Sequence, residues 1–233
     1  MSTKDHSFKA LFNKAGMTFL VVFLCGCTHK IAFHELHYDL PDSKKHENII
    51  VVIDKSTLDD VVTTRSALTG LAHRWNAQPG KMLKQIADIE FPQIYNEYIF
   101  SNSVVEPPWK ENTLQLLMTI PEYHFKNMHA YFTVNIIAYD ENSKLMEKSY
   151  KEEGIKQGSK MFWAGAFGMK SAIRQSSLDA LKKIFRQIRA DLSNLLELNP
   201  LKSNNEDLND YYSPQDAIDS FDDGEYQYYS PQN

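Results

Sequence analysis

The chain has 233 residues, 42% hydrophobic and 24% charged, with a formal net charge of −5. That length allows one sizeable core between flexible ends, and the acidic balance argues against a nucleic-acid footprint. Two cysteines, Cys25 and Cys27, are too few and too close for a disulfide framework.

In chain order, the first feature is an export signal. Lys4, Lys9 and Lys14 precede the apolar run Met17 to Leu24, the n-region and h-region of a secretory signal. Met17 to Cys27 is 11 residues, whereas a spanning helix needs about 20. The stretch Leu24-Cys25-Gly26-Cys27 resembles the lipobox of bacterial lipoproteins, with a branched apolar residue, two small residues and then the acceptor cysteine. Cleavage before Cys25 would need a small residue where Leu24 stands, so Cys27 is the better acceptor. The resemblance implies a diacylglyceryl group on the Cys27 thiol, an acylated new amino terminus and, with Thr28 following, export to the outer membrane. Residues 1–26 would leave with three Lys and one Asp, giving a mature chain of 207 residues and net charge −7. No thiol would then be free, which excludes thiolate metal sites and cysteine-nucleophile catalysis. The only cofactor expected is the covalent lipid on Cys27.

Residues 27–198 read as a single α/β periplasmic domain. Ile31 to Leu40 alternates loosely, and Asn48 to Ile53 is a β-branched run suited to a buried strand. Ser56 is expected to cap a helix with Asp59 and Asp60 in its first turn. Leu58, Val61, Val62, Leu68, Leu71 and Trp75 would share one face of it, and Pro79-Gly80 would close it. A second helix from Lys81 to Glu90 would bury Met82, Leu83, Ile86 and Ile89 until Phe91-Pro92 interrupts it. Thr113 to Pro121, Ala130 to Tyr139 and Lys144 to Glu152 read as an antiparallel meander, with Asp140 to Ser143 as a turn. Phe132, Val134, Ile136 and Ala138 form its core side; Tyr131, Thr133, Asn135, Ile137 and Tyr139 form the other. Leu178, Leu181, Phe185, Ile188, Leu192 and Leu195 then step by 3, 4, 3, 4 and 3, the stripe of a long amphipathic helix packed across the sheet. Lys182, Lys183, Arg186 and Arg189 would occupy its solvated face.

Residues 199–233 hold eight acidic residues, one lysine and five tyrosines, and Tyr211-Tyr212-Ser-Pro-Gln recurs as Tyr228-Tyr229-Ser-Pro-Gln. High charge with little aliphatic content reads as a disordered tail. It would solubilise the protein, or its paired tyrosines would dock on a partner.

The fold class expected is α/β of the α+β kind: a small antiparallel or mixed sheet with helices on one face, a long C-terminal amphipathic helix and a disordered tail. Ala130 to Asp140, Lys148-Ser-Tyr150 and the helix after Ser171 resemble small envelope lipoproteins of the YajG family. More loosely they resemble auxiliary lipoproteins of envelope transporters and activators of peptidoglycan synthases. The resemblance implies a three- or four-stranded sheet and little about activity.

No constellation of residues supports an enzyme. His34-Glu35-Leu36-His37 places its histidines three apart in a strand-like segment, on opposite faces, without zinc-protease spacing. Gln157-Gly158-Ser159-Lys160 lacks a nucleophile elbow, and Gly165-Ala-Phe-Gly168 lacks a phosphate-loop ending. One stretch, Met161 to Met169, is uncharged over nine residues and alternates bulky with small side chains. Phe162, Trp163 and Phe167 there either fold back over the sheet or form a contact surface for a partner, a second copy or the membrane interface. Pro107-Pro108-Trp109 is a weaker candidate, a rigid presentation of one aromatic. The function expected is a non-enzymatic, lipid-anchored accessory or scaffold of a cell-envelope complex, on the outer membrane and facing the periplasm. A ligand- or lipid-binding module and a cell-envelope hydrolase stand as alternatives.

Overall fold

The computed structural model describes residues 28–33, 36–40, 46–65 and 74–198, and side chains throughout these except at 46, 158–167 and 198. In order they form β1 (Thr28–Ile31), β2 (His46–Val52), α1 (Lys55–Asp59), β3 (Val62–Thr64), β4 (Arg74–Ala77), α2 (Pro79–Ile94) and β5 (Tyr95–Ser101). Then follow β6 (Thr113–Lys126), β7 (His129–Tyr139), β8 (Lys144–Glu153) and α3 (Gly158–Leu198). The fold is mixed α/β, with helices α2 and α3 packed on one face of a five-stranded sheet of order β5-β2-β6-β7-β8. Strand β2 runs parallel to β5 and β6, while β6, β7 and β8 form the expected antiparallel meander.

Alternation sets the buried side. Phe132, Val134, Ile136 and Ala138 are at most 2% exposed and face the helices, as do Ile49, Val51 and Ile53 from β2. The α3 stripe lies against them, with Leu181, Phe185, Ile188 and Leu192 buried and Leu178 and Leu195 half-buried at its ends. Phe185 meets Phe91 of α2 at 5.6 Å between ring centroids, which seals the space between the helices. Each such ring contributes about 2–3 kcal/mol through burial.

The region between β2 and α2 departs from the sequence reading. The helix expected from Ser56 to Trp75 is five residues long, capped by Asp54 accepting from Thr57 N at 2.6 Å. Asp59 and Asp60 therefore stand at its end, not in its first turn. Val61-Val-Thr-Thr64 is β-branched and favours an extended backbone, so the chain turns into β3. Strands β1, β4 and β3 form a second sheet, with β1 parallel and β3 antiparallel to β4. Leu68 and Leu71 lie outside the described residues. Pro79-Gly80 opens α2 instead of closing the previous helix, because proline's fixed φ and missing N–H suit a first turn. Gly80 also lets α1 approach: a Cβ there would sit 1.9 Å from Thr57 O.

Neither proline expected to end an element does so. Pro92 lies in the last turn of α2, exposed, where it removes only one donor, and the helix continues to Ile94. Pro121 falls at a register shift between Thr119 and Glu122, and β6 continues beyond this bulge to Lys126. Strand β5 was not foreseen.

One buried carboxyl gives the fold a pH dependence. Glu47 on β2 is half-buried, and its Oε2 accepts no hydrogen bond among the described residues. Burial pushes its pKa up to about 7 from an ordinary 4.5. The native chain therefore binds a proton that the unfolded chain has released, so stability falls as pH rises between these values and is flat above them. Glu47→Gln should raise the unfolding midpoint at pH 8 and leave it nearly unchanged at pH 4, an effect of about 1 kcal/mol after allowance for solvent screening. Thermal melts of both chains across that range check it; an equal shift at both ends would sink the assignment.

Candidate functional site

The residues directly after Cys27 are held by an unusual density of polar contacts. Strand β1 ends at Ile31, whose carbonyl accepts from Gln78 N at 3.0 Å just before α2. The chain then lies as a strap along α2 and α3. Gln85 brackets Phe33, accepting from its N–H and donating to its carbonyl, both at 3.0 Å. Eight residues on, about 12 Å along the helix, Gln93 does the same lower on the strap. It accepts from Leu40 N at 2.7 Å and donates to Tyr38 O at 3.2 Å. Arg174 of α3 donates to Ala32 O at 2.8 Å. Two glutamine side chains thus replace the neighbouring strand that this extended segment lacks.

Glu90 closes the lock. It is 1% exposed on α2, accepts from Tyr38 Oη at 2.7 Å and is ion-paired with Arg189 of α3. The Lys182 ammonium stands 4.2 Å from the centre of the Tyr38 ring. Burial pushes the Glu90 carboxyl up, while Arg189, the Tyr38 hydroxyl and Lys182 pull it back down. The Tyr38 phenol is raised by burial and by the Glu90 charge, so it stays protonated and donates. Burial lowers Lys182, against the opposing pull of Glu90 and Asp179. Arg189 and Lys182 are therefore not the solvated face expected of them. A cue was present in the sequence: Glu90 falls on the same helical stripe as Met82, Leu83, Ile86 and Ala87.

A second set of polar contacts joins α3 to the meander. Ser176 Oγ accepts from Ala130 N at 2.8 Å, and Ser177 Oγ lies 3.1 Å from Tyr123 Oη, both serines fully buried. Burial pushes the Tyr123 phenol up to about 12, with the Ser177 contact opposing. Asp191 accepts from Tyr150 Oη and Lys148 Nζ, each at 2.6 Å. These groups tie the helix and sheet layers together.

The other sequence candidates fall as follows. Leu24, Cys25, Gly26 and Cys27 lie outside the described residues, as do Tyr211, Tyr212, Tyr228 and Tyr229. The backbone of Phe162, Trp163 and Phe167 is helical, in the first turns of α3, and their side chains are outside the description. The segment is thus neither a loop nor a fold-back before the helix; it opens the helix. Trp109 is half-buried. Strands β5 and β6 run parallel on either side of β2, so residues 102–112 must return along the sheet. Val105 N donates to Gln115 Oε1 at 2.8 Å, and Gln115 faces away from the helices, so the return crosses that outer face. Trp109 pins it, with Nε1 donating to Val105 O and N to Glu141 Oε1, both at 3.0 Å. This cover accounts for the burial of Ile50 and Val52, which point outward from β2. Beside it an open groove of 280 Å³ is lined by Leu117, Thr119, Asn135, Ile137, Glu147, Lys148 and Ser149.

His34 and Glu35 lie outside the described residues, and His37 is exposed. Among the described residues no three His, Cys, Asp or Glu side chains converge as a metal site, and no helix is long and apolar enough to cross a membrane.

No family model matches the chain, and no curated protein matches it. Among solved structures it is similar to protein XCC0632 from Xanthomonas campestris, described under the family model DUF330. That likeness has 10% identity over 72% of this chain and 99% of that one, with a TM-score of 0.41. It is also similar to the hypothetical protein CT253 from Chlamydia trachomatis, at 10% identity over 66% of this chain and 99% of that one, with a TM-score of 0.36. Both likenesses are too distant to say what this chain does.

Proposed function

We propose that this chain is a lipid-anchored envelope protein that acts as a non-enzymatic accessory or scaffold subunit, held to the periplasmic side of the outer membrane through Cys27. The observation that carries the reading is the position of β1, which opens on Thr28, the residue after the lipobox cysteine. A lipid on Cys27 would therefore be joined to the folded body with no linker. The Gln85, Gln93 and Glu90 contacts then transmit the anchor to α2 and α3, so the body is held in one pose and not trailed on a flexible leash. For docking on a partner this matters, because a fixed pose lowers the orientational cost of assembly. The uncharged segment 161–169 and the tyrosine tail supply the contact chemistry.

The alternatives meet specific obstacles in the described residues. A lipid- or ligand-carrying module needs an apolar cavity between sheet and helices, and that space is filled by Phe91, Phe132 and Phe185. Against a hydrolase, the buried polar groups Ser176, Ser177, Asp191 and Glu90 are engaged in bonds between layers, which favours a structural role for them.

Cys27→Ser tests the anchor. The native chain, expressed in a Gram-negative host, should have the intact mass of residues 27–233 plus a diacylglyceryl and an acyl group and should sediment with outer membranes. The variant should accumulate as an uncleaved precursor without lipid. A native chain of unlipidated mass would overturn the reading.

A further inference from the structure

The small sheet has a face that nothing in the described fold covers, and its chemistry is one-sided. In β1, β4 and β3, Ile31, Trp75 and Ala77 are fully buried, and by alternation Thr28, Lys30, Arg74, Thr63 and Arg65 point the other way; all five are exposed. The register aligns them. Thr28 stands opposite Arg74, and the β3–β4 pairing that joins Thr64 to Trp75 brings Arg65, one residue on, beside Arg74. Lys30 lies one repeat along, opposite Asn76, which is opposite Thr63. Neighbouring strands are about 4.8 Å apart and alternate residues about 6.7 Å, so the three cations fall within roughly 12 Å of one another.

No ion pair involves Lys30, Arg65 or Arg74 among the described residues. Of the acids nearest to Arg65 along the chain, Asp59 and Asp60 lie beyond the opposite end of β3, and Asp59 is held by Lys55 at 2.6 Å. A compact cationic face on a chain of net charge −5 is thus a local arrangement and does not follow from overall composition. It lies at the start of β1, next to Cys27.

We propose that this face, with Lys30, Arg65 and Arg74 at its centre, is a docking surface for an anionic phospholipid bilayer, which seats the small sheet on the membrane that the Cys27 lipid enters. The proposal rests on the anchor reading and adds an orientation to it. Charge complementarity selects the occupant: residues 27–198 balance 21 basic against 21 acidic residues, so this cluster of cations is a local positive excess, and it stands beside the one residue expected to carry acyl chains. Each basic side chain near such a surface changes partitioning about fivefold. The lipid would hold the protein at the membrane, and the cations would decide which side faces it.

The test uses the purified full-length protein as the host processes it. Thr63→Cys, on the β3 edge of the face, would be the sole free thiol of a lipidated mature chain, since Cys25 leaves and Cys27 is capped; Ser149→Cys marks the outer face of the large sheet as a control. Each is labelled with a fluorophore and reconstituted into vesicles carrying a headgroup quencher, either phosphatidylcholine alone or a mixture with phosphatidylglycerol. The label at 63 should be quenched strongly in the phosphatidylglycerol mixture, weakly in phosphatidylcholine, and weakly again in about 1 M salt, where the screening length is about 3 Å. Charge reversal at Lys30→Glu, Arg65→Glu and Arg74→Glu together should reduce the quenching by at least about threefold, with the label at 149 unaffected. Equal quenching in both vesicles, or quenching indifferent to salt and to the reversals, would overturn the proposal. Failure of the anchor reads out separately, as an unlipidated intact mass and additional labelled thiols, and the lipid and salt comparison scores the face in either case.

Discussion

Arg189→Ala should destabilise the protein by about 3–5 kcal/mol, because it takes from the buried Glu90 carboxylate the guanidinium paired with it. For a domain of this size the melting temperature should fall by roughly 10 °C. The cost comes from stranding a charge, and the ion pair itself is worth much less. Replacing both partners, with Glu90→Met and Arg189→Met, should therefore return most of the lost stability. A pH signature separates this from a simple loss of packing. In the Arg189 variant only the Tyr38 hydroxyl and Lys182 oppose the desolvation that already pushes Glu90 upward, so the carboxyl takes a proton more readily and the deficit should narrow as pH falls. The strap should loosen too: amide exchange at Leu40, which Gln93 holds, should accelerate more than exchange in the meander. Urea titrations at pH 5 and pH 8, with hydrogen exchange, measure all of this. A loss below about 0.5 kcal/mol, the size typical of a surface change, would show that the Glu90 lock contributes nothing to the strap.

Gly154→Ala should be as damaging for a different reason. Gly154 follows β8 where α3 crosses the meander, and a Cβ there would lie 1.8 Å from Ser176 O and 2.6 Å from Ser176 C. Those are backbone atoms of a long helix and cannot rotate away. To make room, α3 must lift from the sheet, which stretches the bond from Ala130 N to Ser176 Oγ and the contact between Tyr123 and Ser177. The expected cost is about 3 kcal/mol, the upper end of ordinary overpacking. Adding Ser176→Ala to the variant should not rescue it, because removing the hydroxyl, itself 2.5 Å from the new Cβ, leaves the closer carbonyl in place. Recovery of wild-type stability in the double variant would show that the side chain alone sets the approach of helix to sheet.

These two residues show where the sequence was legible and where it was not. The meander and the α3 stripe could be read because their patterns are local. Phe132, Val134, Ile136 and Ala138 alternate within one strand, and Leu181, Phe185, Ile188 and Leu192 repeat within one helix. The region from Ser56 to Gly80 was misread because two local signals competed. Leu58, Val61 and Val62 fit a helical face, yet the β-branched run ending at Thr64 prefers to extend, and pairing with β4 decided between them. Pro79-Gly80 carried the same ambiguity, since a proline suits the first turn of a helix as well as the loop after one. Strand β5 escaped notice because Asn96 and Glu97 interrupt its apolar pattern and its only partner, β2, is more than 40 residues earlier. The hydrogen bonds of Trp109 to Val105 and Glu141 depend on the return of the chain across the outer face, which no local pattern encodes.

What the sequence determined by itself is whatever depends on neighbours along the chain: the meander with its buried side, the stripe of α3 and the acidic composition of residues 199–233. The tertiary structure decided the rest. It paired Thr28–Ile31 with Arg74–Ala77 in a second sheet, ran β2 parallel between β5 and β6, and brought Arg189 to Glu90 across 99 residues. Periodicity tells a segment which of its sides is apolar, but not which distant segment will cover it. A buried charge and a parallel strand are stable only when a partner from elsewhere arrives, and local pattern carries no information about that arrival.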